Sequence, residues 1–207
     1  SVSPEQVEAA LKADPSITGV LIQLSETSTG VLHPVREVAQ ITRQRDVLLL
    51  VDGISAVGLS PCPLDEWGLD CLLTGSQKGL MLPPGLALLA LSERAWKKAE
   101  SVTPGCFYFN LLKEREHVLK GQTLFTSPVN LILGLDESLD MLLENGLEAL
   151  YAKQWALTML TRAGVSALGL DLFAPEHFAW GITSVLLPEG VDGTEVLRLA
   201  LDRYGVC

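Results

Sequence analysis

The chain has 207 residues, 48% of them hydrophobic, with a formal net charge of −10. That length allows one large domain or two small ones, with enough apolar content for a substantial core. The acidity argues against a nucleic-acid backbone or an anionic membrane as the main partner, and the longest apolar run, around Gly85 to Leu91, is strand-length rather than membrane-spanning.

The chain opens on a helix signal. Ser3 can cap, Pro4 suits the first helical position and Gln6 can complete a capping box. The spacing predicts a helix from Pro4 to Ala13, ended by Asp14-Pro15. Gly19 to Leu24 reads as a buried strand, followed by a loop at Thr29-Gly30 and Pro34. Val35 to Arg45 places Val35, Val38 and Ile41 on one face of a surface helix. Val47 to Val51 is apolar on both faces, as a central parallel strand requires. Gly53 to Gly68 holds turns, and Leu69 to Leu73 is the next strand. Leu86 to Leu91 follows after only a short turn, so it is predicted antiparallel.

Beyond these come a short helix from Glu93 to Ser101 and a covering segment that contains Phe107-Tyr108-Phe109 and Lys113 to His117. Asn130 to about Ala163 is predicted helical with a break near Gly146, Thr183 to Leu187 reads as a strand, and Thr194 to Tyr204 as a helix. Gly205-Val206-Cys207 looks like the entry to an uncompleted strand. These ends lead to the expectation that the chain is the middle of a larger protein.

Strand, helix, strand, crossover, strand is the order of α/β winding, with parallel pairing. Ligands of such sheets sit beyond the carboxyl ends of the strands. Three of the predicted strands end there in polar residues: Thr27 after the first, Asp52 after the second and Lys78 after the third. A lysine beside a carboxylate has an ordinary reading as a salt bridge. The alternative is a lysine that takes pyridoxal phosphate (PLP) as a Schiff base. Asp52 would then keep the ring nitrogen protonated, Thr27 would hydrogen-bond the phenolic oxygen, and Lys78, once released, would move the substrate's α-proton as general base.

Four ordered blocks carry a resemblance. They are Ser25 to Leu32, Leu49 to Gly58, Gly75-Ser76-Gln77-Lys78 with Pro83-Pro84-Gly85 after it, and Gly121 to Pro128. Together they resemble the class V PLP-dependent aminotransferases, in particular the alanine–glyoxylate and serine–glyoxylate (serine–pyruvate) branch, over nearly the whole chain. The resemblance implies an α/β, fold-type-I PLP-dependent transferase of the aspartate aminotransferase kind. Residues 1–130 would form the C-terminal part of the large PLP-binding domain, with a mostly parallel sheet. Residues 131–207 would form an interdomain helix and part of the small α/β C-terminal domain.

It also implies roles. Lys78 carries the cofactor, Asp52 pairs with the pyridine nitrogen, Thr27 contacts the phenolic oxygen and Ile54 packs on the ring face. Gln77 contacts the phosphate, and Thr123 and Thr126 reach the phosphate from the other subunit of a homodimer. The implied substrates are a small amino acid, alanine or serine, and glyoxylate or a related 2-oxo acid.

The chain departs from the pattern too. The family's amino-terminal phosphate cup and ring-stacking aromatic have no match here, nor does the C-terminal Arg that grips the substrate carboxylate; Arg198 and Arg203 do not fit that motif. The isolated chain is therefore expected to be inactive. A same-fold lyase or cysteine desulfurase remains an alternative, as does a catalytically silent truncated fragment, although Gln77 stands where desulfurases typically carry a histidine.

Other residues read blandly. His33, His117 and His177 are dispersed, which disfavours a metal site. Ser55 has no nearby histidine for hydrolase chemistry, and no glycine spacing fits a Walker or dinucleotide motif. The four cysteines, Cys62, Cys71, Cys106 and Cys207, contain no CxxC. That pattern fits a cytoplasmic setting, with a mitochondrial or peroxisomal one equally compatible.

Overall fold

The computed structural model describes residues 1–206; Cys207, part of the expected terminal strand entry, lies outside the described residues. Helix α1 (Pro4–Ala13) starts on the expected capping box, with the Ser3 hydroxyl accepting from the Gln6 amide and the Gln6 side chain accepting from the Ser3 amide. Strand β1 (Gly19–Gln23) follows, then a small hairpin of β2 (Ser25–Glu26) and β3 (Val31–Leu32) where the sequence pattern reads as a loop. Next come α2 (Val35–Gln44), β4 (Leu48–Asp52), the short α3 (Leu64–Trp67), β5 (Cys71–Gly75) and β6 (Ala87–Leu91).

The main sheet has the order β1-β4-β5-β6. β4 runs parallel to β1 and to β5, whereas β6 returns antiparallel beside β5, as the short connection requires. The core lies between this sheet and α2. Val35, Val38 and Ala39 on the helix meet Ile22, Leu49 and Val51 from alternate positions of β1 and β4. Full burial of each large aliphatic side chain stabilises by about 1.5–3 kcal/mol. The other face of β1 is bare. Leu21 is 79% exposed, so β1 is a half-covered edge strand rather than the buried strand expected.

Helices α4 (Glu93–Glu100), α5 (Leu111–Val118), α6 (Val129–Leu143), α7 (Gly146–Ala167) and α8 (Gly193–Tyr204) complete the chain. The break between α6 and α7 falls at Gly146, which has φ +80°, as expected from the pattern. The strand expected over Thr183 to Leu187 does not form. This stretch makes one isolated bridge, Leu172 to Val185, with a Phe173-to-Ser184 and a Leu186-to-Asp171 hydrogen bond around it. β-branched composition favours a strand only where a neighbouring edge extends the ladder, and pairing here stops after those bonds. Gly205 is the left-handed C-cap of α8 and not a strand residue.

One buried carboxylate ties the sheet together. Asp70, 1% exposed, accepts hydrogen bonds from the Leu49 amide at 3.0 Å and the Ser92 hydroxyl at 2.8 Å, with Arg94 Nε 3.7 Å away. It thereby joins the start of β5 to β4 and to the cap of α4. Asp70→Ala strands these donors and is expected to lower stability by about 3 kcal/mol; urea denaturation measures the loss, and Asp70→Asn should lose less.

Candidate active site

Because β1, β4 and β5 are parallel, their carboxyl ends share one sheet edge. The Leu24 amide bonds to Asp52 O at 2.8 Å and the Gly53 amide to Leu73 O at 2.9 Å, so the three chains stay in register as they leave the sheet. Beyond the edge lies a cavity of about 530 Å³. The sheet side supplies Thr27, Ser55 and Lys78. The facing wall comes from α7, through Lys153, Gln154 and Leu157, and from Gly181 and Ile182. Among the described residues, no acidic side chain lines it.

The loop carrying Lys78 is closed on itself. Ser76 is fully buried; its hydroxyl donates to Pro83 O at 2.7 Å and accepts from the Leu86 amide at 3.2 Å, while the Met81 amide bonds to Lys78 O at 2.9 Å. From α6, the Ser138 hydroxyl donates to Leu80 O at 2.6 Å. This loop crosses the one after β4 at backbone contact. Gly58 has φ +81°, and a Cβ there would meet Gly79 O at 3.0 Å; a Cβ on Gly79 would collide with Val57 O. The crossing brings Lys78 to the cavity that Ser55 lines.

The Lys78 side chain is exposed and, among the described residues, has neither an ion pair nor a hydrogen bond. The salt bridge to Asp52 is therefore not formed. Asp52 is half-buried, and its Oδ1 accepts from the Ile54 amide at 2.8 Å. Thr27 and Ser55 share a hydroxyl–hydroxyl hydrogen bond of 2.7 Å.

Of the residues expected at the site, Thr27 and Lys78 line the cavity together. Asp52, Ile54 and Gln77 stand at the ends of the same strands but outside its lining. The Gln77 side chain folds back over Gly75, at 2.7 Å from where a Cβ would sit. Thr123 and Thr126 are exposed and do not line the cavity; they flank Phe125, which is held against Tyr108 at 4.3 Å and Phe107 at 6.2 Å between ring centroids. Ser55 was missed as a partner of Thr27, although it belongs to the same block as Asp52 and Ile54. The wall from Lys153, Gln154, Gly181 and Ile182 left no signal in the sequence.

A lysine, a carboxylate and paired hydroxyls at one edge of a mainly parallel sheet define the scaffold of a fold-type-I PLP-dependent enzyme. The chain belongs to the class-V aminotransferase family, whose profile matches residues 1–207. It is 35% identical to the "soluble hydrogenase, small subunit" of Synechococcus sp., over 99% of this chain and 54% of that one. With the serine–glyoxylate aminotransferase of Methylorubrum extorquens it shares 37% identity, over 98% of this chain and 53% of the other. The structure of an alanine–glyoxylate aminotransferase from Nostoc sp. superposes with a TM-score of 0.89 at 29% identity, covering 98% of this chain and 55% of that one. The chain thus spans about half the length of the relatives it matches.

The backbone crossing makes a direct prediction. Gly79→Ala should destabilise by about 2 kcal/mol, read as a lowered thermal midpoint. Gly105→Ala, with open space around the added methyl, should be near neutral.

Proposed function

We propose that this chain contributes the PLP-binding core of an aminotransferase that moves an amino group from a small amino acid, alanine or serine, to glyoxylate or a related 2-oxo acid. The observation that carries the reading is Lys78, an unpaired primary amine facing a cavity with no acidic lining, beside two hydrogen-bonded hydroxyls. These residues fit the cofactor. Residues 1–130 would act as its large-domain part and 131–207 as the interdomain helix and part of the small domain.

Bound PLP supplies an electron sink for the pair left at the substrate α-carbon when its proton departs. The chain's residues supply the rest. Lys78 would hold the cofactor through Nζ, and its free amine would serve as the general base for the substrate's α-proton. The Asp52 carboxylate, whose Oδ1 accepts from the Ile54 amide, would pair with the pyridine nitrogen and stabilise its positive charge. Thr27, supported by Ser55, donates to the phenolic oxygen. Ile54 packs on the ring, Gln77 meets the phosphate, and Thr123 and Thr126 serve the phosphate site of a second copy in a homodimer.

Neither Cys62 nor Cys71 favours thiolate chemistry. Burial pushes the Cys62 thiol up to about 11 and raises that of Cys71, which lowers their thiolate content. Among the described residues, no helix is long and apolar enough to cross a membrane. Cys62, Cys71 and Cys106 are free thiols among the described residues, and the setting proposed is cytoplasmic or otherwise reducing.

Incubation with PLP, borohydride reduction and peptide mapping test the reading. The expected result is one adduct, at Lys78, lost in Lys78→Ala; adducts only at other lysines overturn it. Alanine plus glyoxylate assays then separate transamination from sulfide release with cysteine. The isolated chain is expected to label without efficient turnover.

A further inference from the structure

Arg162, on α7, is only 8% exposed and has no carboxylate within salt-bridge distance among the described residues. Its Nη2 donates to Ala174 O and to Pro175 O, each at 2.9 Å, and its guanidinium lies 3.7 Å from the centroid of Phe178. Phe178 also stacks on Trp155, at 5.6 Å between ring centroids and 17° between planes. A buried cation is costly, and an apolar residue of similar volume is often at least as stable in its place. Two carbonyls and a ring face compensate the charge in a geometry that a guanidinium fork satisfies and an ammonium does not.

What Arg162 holds is a strap, residues 174–182. One turn away on α7, the Thr158 hydroxyl accepts from the Gly181 amide at 3.3 Å. The strap's other side is bonded to the β2–β3 hairpin. The Leu32 amide donates to His177 O at 2.6 Å, the Ala179 amide donates to Gly30 O at 2.8 Å, and Val31 bridges Phe178. Thr27 sits in the turn of that hairpin, and Gly181 and Ile182 at the end of the strap line the cavity. Hydrogen bonds and the backbone between them thus connect Arg162, through the strap, to the hairpin whose turn carries Thr27.

We propose that Arg162 is a positioning residue that sets both the Thr27 hydroxyl and the Gly181–Ile182 wall around the Lys78 cavity. The function resting on it is the PLP site proposed above. Arg162 itself touches neither the cavity nor a reacting atom. It acts through the strap, as a clamp between α7 and the hairpin, so that cofactor binding depends on a contact outside the pocket.

Amide hydrogen exchange and PLP titration of Arg162→Met and Arg162→Lys test this. In Arg162→Met, exchange at Leu32 and Ala179 should rise by about tenfold, with the β4 amides unchanged, and PLP should bind about tenfold more weakly. Arg162→Lys, which keeps the charge but not the fork, should fall between. Phe178→Leu should give the same local loosening if Arg162→Met folds poorly. Unchanged exchange at Leu32 and Ala179 overturns the clamp, as does an equal rise throughout β4, which marks general destabilisation. Looser hairpin amides with unaltered PLP affinity overturn the link to Thr27. If the unsubstituted chain takes no PLP at Lys78, the cofactor reading fails by itself, and exchange at the Thr27 amide decides whether Arg162 positions the hairpin.

Discussion

Parallel pairing of β4 with both β1 and β5 is the constraint on which the site depends. Parallel strands need crossovers, and the crossovers through α2 and α3 return the chain each time in the same direction. All three carboxyl ends therefore reach one edge, and the loops that follow must share the space beyond it. Val51 and Leu49 hold β4 in the core, while Asp70 secures the opposite end of the sheet through the Leu49 amide. The loop that carries Lys78 away from the sheet is closed by its own hydrogen bonds.

The loops solve a crowding problem at the crossing of Gly58 and Gly79. Two backbones pass there at a separation that leaves no room for a β-carbon. Ser76 and Ser138 complete the arrangement by satisfying carbonyls that the turn would otherwise bury without partners. The result is a lysine on a well-fixed loop with an unconstrained side chain. Such a group can change partners during a reaction, which a lysine locked in a salt bridge to Asp52 could not do without first breaking it.

Much of this is legible in local patterns. The capping box at Ser3 and Gln6, the amphipathic stripe of α2, the doubly apolar β4 and the antiparallel return of β6 each express a rule that acts over a few residues. The exposed face of β1 was not legible, because Leu21 has the same chemistry as a buried leucine and its covering is a matter of what lies next to it. The short β2–β3 hairpin was missed for a related reason: its two-residue strands carry too little periodicity, and the strap at 177–179, far along the chain, supports it. The strand expected at 183–187 failed in the opposite sense, having the composition of a strand without a neighbouring edge to extend it.

By itself, the sequence determined the α/β winding, the strand ends that present Thr27, Asp52 and Lys78, and the membership in a family that uses PLP, since those depend on residue types at short spacings and on ordered motifs. Tertiary structure alone decided that Ser55 meets Thr27, that Lys78 stands apart from Asp52, and that α7 and the strap form the facing wall. Those contacts join residues dozens to more than a hundred positions apart, and no local period encodes which of many exposed side chains long-range packing will bring together.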